Sequence, residues 1–124
     1  MIYETSIFHQ SLSAITALGV EHVLLFYHYL NTADLDGLGS LLDDHVQLRQ
    51  QGKPAVHGRE NVLKSGFVAS FAQHHIHTSI ARDSQVFTAG RLLPTGDSSG
   101  SREFNDAFVI TKNIMIRGVR RDYL

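Results

Sequence analysis

The sequence predicts a single α+β domain in which helices come first and a mainly antiparallel sheet follows. Three observations carry this expectation. Apolar residues recur at three- and four-residue steps through Val20, Val23, Leu24, Tyr27 and Leu30, which lines one face of a helix. From His74 onward the period drops to two, with Ile76, Thr78 and Ile80 alternating with their neighbours. A length of 124 residues suits one ordinary core and is too short for two. With helices placed before strands, the helices are expected to cover one face of the sheet.

The first helix ends at Asn31-Thr32-Ala33-Asp34. There the Asp34 carboxylate is placed to accept from the N–H groups of Asp36 or Gly37 and to cap a second helix through Leu42. Val46 and Leu48 then alternate with Gln47 and Arg49, a short half-exposed strand that stops at the Gln51-Gly52-Lys53-Pro54 turn. His57-Gly58-Arg59-Glu60-Asn61 opens a third helix, with Val62, Leu63, Phe67 and Phe71 on one side. After His74 come a strand through Ile80, a turn at Arg82-Asp83-Ser84 and a strand from Val86 to Leu93. A polar loop over 94–100 leads to a final hairpin, 103–110 and 114–121, around Lys112-Asn113. Residues 1–15 show no firm period and read as an N-terminal extension to a domain spanning 16–124. Their Ile2, Ile7 and Phe8 are apolar enough to lie against the body or a neighbouring subunit.

Composition removes several functional classes. Hydrophobic residues at 43% and charged residues at 19% argue for a packed core and against disorder. No apolar run approaches the roughly 20 residues of a membrane-spanning helix. The N-terminal residues lack the pattern of a secretory signal, so a cytoplasmic location is expected. With no cysteine, disulfides, thiol nucleophiles and thiolate metal sites are excluded. A net charge of −1 and scattered cations, the Arg117 to Arg121 cluster apart, make nucleic acid an unexpected partner.

Three stretches carry more specific information: YLNTADLDGLGSLLDDHVQL (29–48), VHGRENVL (56–63) and FNDAFVI (104–110) with its returning strand. In this order they resemble the nuclear transport factor 2-like (NTF2-like) superfamily, which includes ketosteroid isomerases, limonene epoxide hydrolases, scytalone dehydratases and SnoaL-type polyketide cyclases. The resemblance implies a cone of three helices packed on a strongly curved, mainly antiparallel sheet, with an apolar pocket for a small hydrophobic organic molecule. It further implies a homodimer joined through the sheet, no cofactor, and acid–base chemistry of isomerase, cyclase, dehydratase or hydrolase type in the catalytic members. The same cone serves non-catalytic binding, adaptor and assembly proteins, and both classes stay open.

The candidate site centres on Asp106. It shares strand parity with Phe104, Phe108 and Ile110, so its carboxyl is expected inside the cone, either protonated or paired with a cation. The resemblance to the ketosteroid isomerase-like branch gives this position a carboxylic acid that donates to a developing oxyanion. In the same alignment the general-base carboxylate falls on Gln50, an amide that cannot take a proton near neutral pH. The helix-one tyrosine falls on Phe26, with Tyr27 about 100° further round the helix. Tyr27, Phe26, Gln50, Phe67, Phe104 and Phe108 are therefore candidate pocket residues. A three-residue turn in the last hairpin, with Asn113 left-handed, sets Arg120 diagonal to Asp106. A two-residue turn instead puts Arg117 and Arg121 on its face.

Among eight histidines, His77 is the candidate general acid or base, because imidazole titrates near neutrality. His75 and His77 share a strand face, but a metal site needs a third ligand, none accompanies them, and no metal is expected. No glycine-rich phosphate loop is present.

Overall fold

A computed structural model of the chain describes residues 2–70, 72–93 and 100–124, with side chains from residue 17 onward. The elements in order are α1 (Ile2–Thr32), α2 (Leu35–Leu41), β1 (Leu42–Gln50), β2 (Val56–His57), α3 (Arg59–Leu63), α4 (Gly66–Ala69), β3 (Gln73–Arg82), β4 (Gln85–Leu93), β5 (Arg102–Ile110) and β6 (Ile116–Tyr123).

The backbone of α1 begins at Ile2, so the segment without a clear period continues the helix. The expected contacts of Ile2, Ile7 and Phe8 lie outside the described side chains. Within α1 the buried stripe is Val23, Phe26, Tyr27 and Leu30, spaced i, i+3, i+4, i+7. Leu24 is 46% exposed, contrary to the sequence reading, because it sits one residue and about 100° round from Val23. At the end of α1, Asp34 caps α2 as predicted, its carboxylate accepting from the Gly37 N–H at 2.8 Å. The predicted third helix is two short ones, broken at Lys64-Ser65, where the Ser65 hydroxyl donates to the Val62 carbonyl. They bury Val62 and Phe67, while Phe71 lies outside the described residues.

The sheet has six strands in the order β2-β1-β6-β5-β4-β3. The pairs are antiparallel except β1 with β6, which run parallel. Three cross-strand rows on its inner face position the site. One is apolar: Ala81, Val86, Phe108, Val119 and Leu48. The next is polar throughout: Ser79, Thr88, Asp106, Arg121 and Gln50. The third runs Ile76, Gly90, Phe104 and Tyr123. A β-bulge in β3 falls between Ile76 and Thr78, so His77 is the extra residue and the parity of the strand changes there. Gly90 faces this bulge. A Cβ at that position would stand 2.4 Å from the His75 carbonyl oxygen and 2.9 Å from the Phe104 ring, so only glycine lets the bulged strand come this close.

The last hairpin closes differently from either predicted register. Its loop spans five residues, with the Thr111 N–H donating to the Met115 carbonyl at 2.8 Å. The left-handed residue is Ile114, at φ 61°, where the sequence reading had Asn113. Ile110 therefore pairs with Ile116, and Asp106 pairs with Arg121.

Candidate functional site

A buried polar chain crosses the interior beneath α1. Asp106 on β5 has a side chain of 0% exposure, and its partner Arg121 on the neighbouring strand is 2% exposed. The two groups meet fork to fork. Arg121 Nε donates to Asp106 Oδ1 at 2.8 Å and Nη2 donates to Oδ2 at 2.7 Å. Of the two choices that sequence left for this carboxyl, pairing with a cation is the one seen. A buried charge pair needs this geometry, because single contacts do not offset the desolvation of both ions.

Three further groups complete the chain. Tyr27, projecting from the buried stripe of α1, donates its hydroxyl to Asp106 Oδ2 at 2.5 Å, and the Tyr27 hydroxyl oxygen lies 2.6 Å from Thr88 Oγ1. With the Tyr27 proton given to Asp106, Thr88 is the donor of the second contact. The third Arg121 nitrogen, Nη1, donates to His74 Nε2 at 3.1 Å. The guanidinium carbon stacks between two rings, 4.0 Å from the centroid of Phe104 and 4.4 Å from that of Phe67. Phe26 seals the other side, edge-on to Phe108 and Tyr27 at centroid distances of 5.2 and 5.6 Å.

These contacts fix protonation states. Burial first, and the Asp106 charge second, push the Tyr27 phenol well above its ordinary range, so it remains a donor. For Arg121, burial works against the charge, but the hydrogen bonds and charge of Asp106 outweigh it and hold the pKa above its usual value. Burial and then the Arg121 charge push His74 from 6.5 down to about 3. His74 is neutral, its Nε2 accepts from Arg121, and its one proton must sit on Nδ1. That Nδ1–H is buried and makes no well-aligned hydrogen bond among the described residues, with the Ala72 backbone near enough to offset a little of the lowered pKa.

His74 is also held from behind. Asn31, near the end of α1, donates to its carbonyl at 2.9 Å and accepts from its N–H at 2.7 Å. Gln73 returns a bond to the Asn31 carbonyl at 3.1 Å. This clamp forms one wall of a cleft of about 370 Å³ between the C-terminal end of α1, α2, the α3–α4 segment and the start of β3. Leu30, Leu35, Leu38, Leu63 and Val68 line it, with Tyr29, Asn31, Ser70 and Gln73 supplying polar edges.

Several nominated residues take other positions. Arg120 is exposed on the outer side of the sheet, because the five-residue loop turns Arg121 inward in its place, and Arg117 is exposed at the irregularity between the Ile110–Ile116 and Val109–Gly118 pairs. Arg120 instead lies 3.4 Å from Asp122. His77 is exposed at the bulge, and His75 is exposed beside it. The histidine that reaches the interior is His74, whose two-residue spacing from Ile76 was the available signal. Gln50 closes the polar row and donates to the Tyr123 hydroxyl at 3.2 Å. Tyr27, Phe26, Phe67, Phe104 and Phe108 are all buried around the ion pair, and none of the nominated residues lines the cleft. Among the described residues no group of three or more His, Cys, Asp or Glu side chains converges as a metal site would require.

Helices on one face of a six-stranded mixed sheet match the NTF2-like fold, as comparison with solved structures shows. The chain superposes with a TM-score of 0.74 on an NTF2-like protein from Cytophaga hutchinsonii, at 14% identity, covering 86% of this chain and 89% of that one. An LEH-like epoxide hydrolase of M. tuberculosis gives 0.76 at 16% identity, covering 88% and 84%. A second M. tuberculosis protein, crystallised in complex with estradiol-17beta-hemisuccinate, gives 0.72 at 14% identity, covering 86% and 94%. No protein-family model and no curated protein matches the chain in sequence. Among the described residues no helix is long and apolar enough to cross a membrane.

Proposed function

We propose that this chain binds a small, mainly apolar organic molecule in the cleft at the end of α1, without a cofactor. The observation that carries the reading is the cleft itself, about 370 Å³ and lined mostly by leucine, valine and alanine with a few polar groups at its edge. The likeness to a protein crystallised in complex with a steroid ester supports it.

Cofactor-free acid–base catalysis, of isomerase, cyclase, dehydratase or hydrolase type, is the second reading. The buried Asp106–Arg121–Tyr27–His74 chain favours it, because clustered polar groups in a core are costly and gather at functional sites. Binding is preferred for three reasons. The Asp106 carboxylate is enclosed, both its oxygens already accept hydrogen bonds, and the pKa values of Tyr27 and His74 move away from neutrality. The buried polar group then acts as a rigid structural element of the core, outside the cleft lining.

Neutral probes test the cleft. Nile red should bind saturably at one site and be displaced by estradiol, and Ala69→Trp, which fills the cleft, should weaken both by about tenfold or more, roughly 1.4 kcal/mol. Absence of saturable binding, or wild-type affinity in the tryptophan variant, would count against the reading.

The proposal includes a homodimer joined through the outer sheet face and a cytoplasmic setting, which a cysteine-free chain suits. Ile80 at 65% exposure, with Phe87 and Val109, forms an apolar patch on that face. Light scattering should give a dimer at micromolar concentration and a monomer for Phe87→Glu. A wild-type monomer would remove this part.

A further inference from the structure

On the outer face, side chains from five strands stand in a single cross-strand row: Ile80, Phe87, Ala107, Arg120 and Arg49. The row is apolar on β3 and β4 and cationic on β6 and β1. Arg120 and Arg49 are direct neighbours, both exposed, and like charges in this position repel. The turn after β1 brings a third cation. Its Lys53 N–H donates to the Gln50 carbonyl at 3.0 Å and Gly52 takes φ 79°, which folds the turn back beside the strand ends.

Between them lies a groove of about 350 Å³, walled by Arg49, Gln51, Lys53, Ala55, Arg120 and Asp122. Among the described residues, neither Arg49 nor Lys53 has a carboxylate within ion-pair distance. Arg120 has only Asp122, at 3.4 Å with both side chains largely exposed, a pairing worth little in water. Three cations against one carboxylate leave two positive charges uncompensated around one concavity, in a chain whose net charge is −1. Guanidinium forks offer paired N–H groups to two oxygens of a tetrahedral anion, and lysine adds a point charge.

We infer that this groove is an oxyanion site for a phosphate group, carried as inorganic phosphate or as a phosphate monoester. The anion bridges Arg49 and Arg120 and removes the repulsion between them. The site is separate from the apolar cleft and stands whether or not that cleft binds a ligand.

The test is thermal unfolding in phosphate against chloride at matched ionic strength, with phenyl phosphate as the ester. Millimolar inorganic phosphate should raise Tm by about 2–4 °C, and phenyl phosphate should do the same. Arg49→Gln should raise Tm in chloride slightly, by relieving repulsion, and abolish the phosphate response. Lys53→Gln should weaken that response, and Arg82→Gln, on the far edge strand, should keep it in full. Equal Tm in phosphate and chloride, a response that survives Arg49→Gln, or stabilisation by phenyl phosphate alone would overturn the assignment.

Discussion

Replacing Arg121 with methionine is expected to destabilise the protein by about 3–5 kcal/mol, the cost of leaving a buried charge without its partner. The Asp106 side chain has no exposure through which water could reach it, and of its two side-chain hydrogen-bond partners among the described residues, Arg121 and Tyr27, only Arg121 is a cation. Asp106→Ala alone strands the guanidinium in the same way, so loss of ligand binding in that variant cannot be separated from loss of fold. The double replacement Asp106→Leu with Arg121→Met is the informative partner. It removes both charges while roughly keeping volume, and such swaps are often neutral. Urea unfolding midpoints of wild type, the two single variants and the double variant form a cycle that should show strong coupling. If Arg121→Met lost less than about 1 kcal/mol, or the double variant were as unstable as the singles combined, the pair would not be the buried unit described.

Acid should destabilise the folded protein through His74. Its folded pKa is lowered to about 3 by burial and by the Arg121 charge, whereas in the unfolded chain it returns to 6.5. Between these values the unfolded state binds a proton that the folded state does not, and stability therefore rises with pH across the window and falls as pH drops through it. Each unit is worth about 1.4 kcal/mol, so roughly 4–5 kcal/mol is lost between neutral pH and the acid end. His74→Gln keeps an acceptor for Arg121 but cannot titrate, and its urea midpoint should fall much less between pH 7 and pH 4. Parallel pH curves for variant and wild type would show that other groups dominate the acid response.

The interior Asp106 was legible from strand parity, because Phe104, Phe108 and Ile110 share its face and one strand sends alternate residues one way. Tyr27 was legible as a core residue, and the Asp34 cap and the change of period near His74 placed the helices and the onset of the sheet. Residue periodicity is a local property, and those features depend only on neighbours within a few positions.

The identity of the arginine was not legible. It depends on the length of one loop, and a shift of a single residue exchanges Arg120 for Arg121 between outer and inner faces. The bulge at His77 was hidden for a similar reason: His74 keeps its two-residue spacing from Ile76, but beyond the bulge the alternation is broken and Ile80 faces outward. The apolar cleft and the cationic groove draw on elements far apart in the chain, α1 with β3 and β1 with β6. By itself the sequence determined the class of fold, the inward carboxyl and most of the core, because these follow from hydrophobic period and parity. Only the tertiary structure decided which cation met that carboxyl, which histidine stood behind it and where concave surface remained, because those follow from strand register and long-range packing that no local window encodes.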